Sequence, residues 1–133
     1  MEALSVKALL DTHALIWIAE NDSRLSPRAL DCIQNCARNE LGIADVSLLE
    51  IAMLWHKGRI PSKHPLAKTL ELAEMNFNVL RINASIAASA YTLPLDQSDP
   101  FDRIIVATAR HHQLPLITKD RLITESGCVE VIW

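Results

Sequence analysis

Glycine is scarce in this chain of 133 residues: there are 3, alongside 6 prolines. That excludes collagen-like and Gly/Ser-linker chains. Scattered as Gly42, Gly58 and Gly127, they cannot build a glycine-rich phosphate loop. Aromatic residues make up only 5%, too few for the extended stacking platforms of single-strand-binding proteins. Trp17 and Trp55 therefore read as core or interface residues. Cysteine is odd in number, at Cys32, Cys36 and Cys128, with no C-x-x-C pair and no Cys/His ladder. No structural zinc is expected, and the three read as small buried hydrophobes. No apolar run approaches the roughly 20 residues that span a bilayer. Glu2 and Asp11 interrupt the N-terminal stretch and no basic start precedes it, so a secretory signal is not expected and the cytoplasm is. Positive charge is in deficit, 13 Lys+Arg against 16 Asp+Glu for a net charge of −3. This argues against a generic basic nucleic-acid binder. It leaves room for a nucleic-acid substrate if metal ions neutralise a carboxylate cluster.

Half of the residues are hydrophobic and 22% are charged, a composition that excludes a disordered chain and suits one domain spanning residues 1–133. Short apolar runs alternate with helical periods. Ala8-Leu9-Leu10 reads as a strand, followed by a helix over His13 to Glu20. Ser26-Pro27 opens a helix to about Arg38, with Pro at its first position. Gly42 to Val46 reads as a strand and Ser47 to Lys57 as a helix that Gly58 ends. A helix from His64-Pro65 to about Asn76, a strand over Val79 to Ile82 and a small-residue helix capped by Asn83 follow. Asp99-Pro100 opens a further helix. Leu116-Ile117 and Val129 to Ile132 close the list of strands. Strands alternating with helices imply a parallel sheet covered on both faces, an α/β/α sandwich. In such sheets a ligand site lies beyond the C-terminal strand ends, where strand order reverses.

Acids fall where that rule places a site. Asp11 follows the first strand, Glu50 lies in the first turn after the second, Asp102 in the first turn of the Asp99-Pro100 helix, and Asp120 after Leu116-Ile117. Clustered carboxylates repel one another unless a cation sits between them, and Mg²⁺ or Mn²⁺ suits such oxygen ligands. Each acid also has a structural reading. Ser47-x-x-Glu50 fits a capping box. Asp99 fits an N-cap, which places Asp102 where an acid favours the helix dipole, with a metal role for Asp99 kept open. Asp11 and Asp120 fit turns or caps. Against these, Glu50 is the only acid between Asp45 and Glu71, in an otherwise apolar helix, and Asp11 ends an apolar strand, a costly place for an unpartnered charge. Asp45 reads as a solvated strand end.

These stretches resemble the PIN-domain nucleases, specifically VapC-type toxins of toxin–antitoxin pairs. The resemblance rests on Leu9-Leu10-Asp11-Thr12-His13-Ala14-Leu15-Ile16-Trp17, on Val46-Ser47-Leu48-Leu49-Glu50-Ile51-Ala52 and on Asp99-Pro100-Phe101-Asp102-Arg103 with the small-residue helix after it. Leu116-Ile117-Thr118-Lys119-Asp120 and Val131-Ile132-Trp133 complete it. The D-P-F-D-R block is the most specific. Leu95-Asp96-Gln97-Ser98 departs from relatives, which often carry His or Arg there. The resemblance implies a three-layer PIN-like fold and divalent-metal cleavage of RNA to 5′-phosphate and 3′-hydroxyl ends. It implies an acidic site matching Asp11, Glu50, Asp102 and Asp120, an antitoxin partner and a homodimer. Thr12 and Thr118 would orient carboxylates or waters as supporting groups. Arg103, Lys119, Lys57 and Arg59 are candidates for gripping RNA phosphates. Two other readings stay open. One is a different metal phosphotransfer enzyme; a phosphatase would want D-x-D where His13 stands as the third residue, and a receiver leaves the D-P-F-D block unexplained. The other is a catalytically silent binding module in which the acids only cap helices.

Overall fold

The computed structural model describes residues 5–61 and 63–133; Glu2, used above against a secretory signal, lies outside them. Five parallel strands form one sheet in the order β3-β2-β1-β4-β5. They are β1 (Ala8–Leu10), β2 (Leu41–Ala44), β3 (Asn78–Leu80), β4 (Leu116–Ile117) and β5 (Val131–Ile132). Strand order runs outward from β1 through β2 to β3, then resumes on the other side of β1 with β4. The reversal point is therefore the β1/β4 boundary, where Leu9 pairs with Leu116 and Leu10 with Ile117.

Side-chain alternation divides the core between the two faces. Leu9, Ala44, Leu80 and Leu116 pack against Ile86, Ile105 and Ile123 of α5 (Ala84–Ala90), α6 (Pro100–His111) and α7 (Arg121–Ser126). Ala8, Leu10, Ile43 and Ile117 pack on the opposite face. There they meet residues of α1 (Thr12–Ala19), α2 (Pro27–Gln34), α3 (Val46–His56) and α4 (Leu66–Asn76). The α/β/α sandwich expected from the alternation is thus present.

Some boundaries differ from expectation. The helix opened by Ser26 ends at Gln34, and a separate 3-10 turn, Arg38–Glu40, leads into β2. Asn35, Asn39 and the small Ala37 offer no apolar stripe to prolong α2 against the core. Val46 belongs to α3 and not to β2. Helix α7 was not expected. It is short, with only Ile123 buried, and its signals are its ends: Asp120 caps it, and Gly127 leaves it with φ +68°. The cysteines are free, with Cys128 buried and Cys32 and Cys36 half-buried. Among the described residues, no helix is long and apolar enough to cross a membrane.

Gly42 shows how closely β2 is packed. A Cβ there would lie 2.9 Å from Val6 Cγ1 and 3.4 Å from Leu9 Cδ1. Val6 is buried and β-branched, so it has little rotamer freedom with which to yield. Gly42→Ala is expected to destabilise the fold by about 1–3 kcal/mol, read as a lower denaturant midpoint at unchanged slope; an unchanged midpoint would show that Val6 moves freely.

Candidate active site

The acids singled out by sequence gather at the C-terminal edge of the sheet, each brought there by a different element. Asp11 ends β1 and caps α1: its Oδ1 accepts the Ala14 N–H at 2.8 Å. Its other oxygen, Oδ2, accepts from the Thr118 hydroxyl, just past β4. Thr118 Oγ1 in turn accepts the Asp120 N–H at 3.0 Å. One threonine thus ties together the ends of β1 and β4, at the point where strand order reverses. Asp120 caps α7 with Oδ1, which accepts the Ile123 N–H at 3.0 Å. Its Oδ2 lies 3.4 Å from Gln97 Nε2, so a residue of the divergent 95–98 segment touches a site acid.

Glu50 arrives by helical periodicity. Helix α3 buries Ser47, Glu50, Ile51 and Leu54, the i, i+3, i+4, i+7 stripe that faces a core. The capping box expected for Ser47 and Glu50 does not form. Asp45 is the N-cap residue, without a side-chain capping bond, and Glu50 is the fifth helical residue, in the second turn and not the first. Ser47 lies inside the helix and is not its cap, so the reciprocal capping pair has no place to form. Glu50 is 6% exposed, and its Oε1 is buried with no hydrogen-bond partner. Thr12, also buried, places its hydroxyl 3.0 Å from Ser47 Oγ. Asp99 caps α6, accepting the Phe101 N–H at 2.8 Å, and puts Asp102 in the first turn as expected.

The electrostatics show that these acids share one neighbourhood. Burial pushes the Asp102 carboxyl up to about 7, and the negative charges of Asp99, Glu50, Asp120 and Asp11 push the same way. Burial also raises Asp11, against the hydrogen bonds from Thr118 and Ala14; His13 draws it back slightly and Asp120 adds to the rise. Burial raises Glu50 too, with the nearby Thr12 hydroxyl and His13 opposing and Asp99 and Asp11 adding. His13, exposed in the first turn of α1, is the group that sequence reasoning passed over. Its signal was its place two residues after Asp11, at the mouth of the acid cluster.

The cationic candidates differ in what they do. Arg103 spends its guanidinium on the backbone, donating from Nη1 to the Ala90 carbonyl at 3.0 Å and from Nη2 to the Leu95 carbonyl at 2.7 Å. It clamps the loop before α6. Lys57, Arg59 and Lys119 are exposed. Asp45 is half-buried and not solvated as expected: Oδ2 accepts the Ile82 N–H at 3.0 Å, and Oδ1 is buried without a partner. It pins the chain leaving β3. Trp17 is buried and Trp55 half-buried, in keeping with core roles.

The donor set fits a hard divalent cation. It is carboxylate oxygen throughout, and it contains an orphaned buried oxygen on Glu50 and a carboxyl on Asp102 whose ionisation burial opposes. Among the described residues, no three acidic, His or Cys side chains are already close enough to hold one ion. An apolar cavity of about 600 Å³ lies elsewhere, between α1, α3 and α4, and no site acid lines it.

Comparison with known proteins decides the family. The PIN domain model matches residues 8–125. The chain belongs to the PIN-domain family. Ribonuclease VapC22 of Mycobacterium tuberculosis is 37% identical over 114 residues, covering 85% of this chain and 86% of that protein. Among solved structures, DNA-bound VapBC from Salmonella typhimurium superposes with a TM-score of 0.71 at 16% identity, covering 95% of this chain and 96% of that one. A toxin–antitoxin complex from Klebsiella pneumoniae gives 0.66 at 23% identity, covering 92% and 95%. These two likenesses establish the PIN fold of the present chain, across nearly its whole length.

The raised acids set a pH dependence for the metal-free protein. Asp102 takes its proton more readily folded, near pH 7, than unfolded, near pH 4. The stability it contributes is full below the unfolded value and is lost as pH rises through about 7. Asp11 and Glu50, both raised, act in the same sense. The melting temperature in chelator is expected to fall between pH 5 and pH 8. Mn²⁺ should restore it more at pH 8 than at pH 5, and Asp102→Asn should flatten the chelator profile. A melting temperature that rises over this range in chelator would overturn the assignment of uncompensated charge.

Proposed function

We propose that residues 1–133 act as one nuclease domain, a divalent-metal-dependent endoribonuclease that is the toxin of a toxin–antitoxin pair in the cytoplasm. The observation that carries the reading is the uncompensated negative charge around Glu50 Oε1 and Asp102, in a fold whose acids meet at the strand-order reversal. Asp11, Glu50, Asp102 and Asp120 would hold Mg²⁺ or Mn²⁺. A bound ion of this kind supplies a deprotonated water and offsets charge developing on the phosphodiester oxygens.

The chain's own residues do the rest. Thr118 fixes the Asp11 carboxylate by donating to Oδ2 and, by accepting the Asp120 N–H, fixes the turn that carries Asp120. Gln97 restrains the second oxygen of Asp120. Thr12 and Ser47 join α1 to α3 beside Glu50. Asp99 orients α6 through its cap, and Arg103 holds the loop before it, so Asp102 stays aimed at the other acids. Lys57, Arg59 and Lys119 are left to meet RNA phosphates. The 37% identity to a protein named a ribonuclease supports RNA as substrate, and the VapBC and toxin–antitoxin fold neighbours support an antitoxin as partner. The apolar cavity between α1, α3 and α4 offers such a partner a surface away from the acids.

The test is incubation of pure protein with structured and unstructured RNAs in Mg²⁺, Mn²⁺ or chelator. Cutting is expected with either ion and not in chelator. Asp11→Asn and Glu50→Gln should reduce it to background, and Thr118→Val should cost about 10–100-fold. Equal cutting by these variants would assign the activity to a contaminant. Turnover of a small phosphomonoester without RNA cleavage would favour a phosphatase.

A further inference from the structure

Lys119 stands between Thr118 and Asp120 in the chain, yet no carboxylate among the described residues pairs with it. Its ammonium lies instead over the Trp17 ring, 5.9 Å from the centroid. His13, exposed on the turn that begins at Asp11, lies against the same indole with ring centroids 6.0 Å apart. Trp133 backs the indole at 5.7 Å. Trp17 itself is 8% exposed, a fixed and largely covered ring. Arg24 also approaches it, at 4.9 Å, but the Arg24 guanidinium is already held by Asp22 through bonds of 3.0 and 2.7 Å. So one buried indole seats two exposed groups, one from the loop after β4 and one from α1. Each is an immediate chain neighbour of a site residue, Lys119 of Asp120 and His13 of Thr12.

A lysine next in the chain to a site acid could pair with it; this one does not. Held on an aromatic face, it keeps its charge for another anion while gaining cation–π stabilisation. The imidazole beside it offers a ring N–H as donor. We propose that Lys119 and His13, seated on Trp17, grip the RNA phosphate adjoining the one that is cut, so that the strand runs over the start of α1. This rests on the nuclease reading above and assigns the side of the site by which the strand leaves it. Lys119 supplies charge, His13 a hydrogen bond, and Trp17 the seat; all three position substrate and none exchanges a proton with it. The low aromatic content is no obstacle, because the indole supports cations here and stacks on no base.

Steady-state cleavage of a single-stranded RNA in Mn²⁺ tests this, comparing wild type with Lys119→Ala, Lys119→Arg, His13→Ala and, as an exposed control before β2 at the opposite edge of the sheet, Arg38→Ala. Lys119→Ala is expected to raise KM roughly tenfold with little change in kcat. It should also make the slope of log kcat/KM against log salt shallower by about 1. Lys119→Arg should recover most of both, His13→Ala should raise KM without changing the salt slope, and Arg38→Ala should match wild type. A Lys119→Ala protein with unchanged KM and salt slope, in a preparation whose wild type cuts, overturns this inference alone. A fall confined to kcat also overturns it, since that would place Lys119 in the chemistry. A wild type that cuts no RNA with either ion overturns the nuclease reading, and this inference with it.

Discussion

The buried Asp11 carboxylate is the point on which the rest of the site depends. It is 9% exposed at the end of β1, where an isolated charge would be expensive. Its two oxygens settle that cost in opposite directions along the chain. Oδ1 takes the Ala14 N–H and so starts α1; Oδ2 takes the Thr118 hydroxyl and so joins β1 to β4 across 107 positions of sequence. Without the second bond the β1/β4 boundary would carry only two paired residues on the β4 side. The same contact couples the two strand ends that flank the strand-order reversal.

A repeated device follows from a carboxylate having two oxygens. Asp11, Asp99 and Asp120 each use Oδ1 to cap a helix, on α1, α6 and α7. A cap fixes the side-chain torsions and the direction in which the second oxygen points. Capping and ligation are therefore not competing explanations of these residues. An acid at an N-cap also sits where the helix dipole tolerates negative charge, which lowers the cost of assembling several such groups at one edge. Glu50 is the exception. It is carried in by the buried stripe of α3 with no backbone donor to receive it, and its Oε1 is the orphaned atom of the cluster.

Much of this was legible in the sequence, for physical reasons that differ by element. The β1, β4 and α6 assignments rest on strong local signals: an unbroken apolar run, or Asp followed by Pro at a helix start. The α/β/α architecture follows from alternation of period. What sequence could not supply was tertiary. The pattern Ser47-x-x-Glu50 looks like a capping box because its spacing is right, but where α3 begins depends on Asp45, whose side chain serves the chain leaving β3. The α7 helix was hidden because a single buried residue, Ile123, makes no periodic pattern. Arg103 looked like a free cation, and only the return of the 90–95 loop shows its donors are taken. His13 carried no signal beyond its adjacency to Asp11 and Thr12, since its partner Trp17 reads as an ordinary core residue.

The way the acids are held is itself informative. They are near enough to raise one another's proton affinity, yet not gathered as three around one point. A site built from rigid, hydrogen-bonded ligands would show its coordination geometry in advance. Here Asp11 and Asp120 are restrained by caps and by Thr118, while Glu50 has one oxygen without a partner and neither it nor Asp102 caps a helix. The first pair is fixed by its own side-chain bonds, and the second by the helices α3 and α6 that carry it. Protonation of Asp102 and approach of a cation are then alternative ways to relieve the same repulsion, so each must oppose the other. The free energy held as repulsion between unpaired carboxylates is what a divalent ion would release on binding.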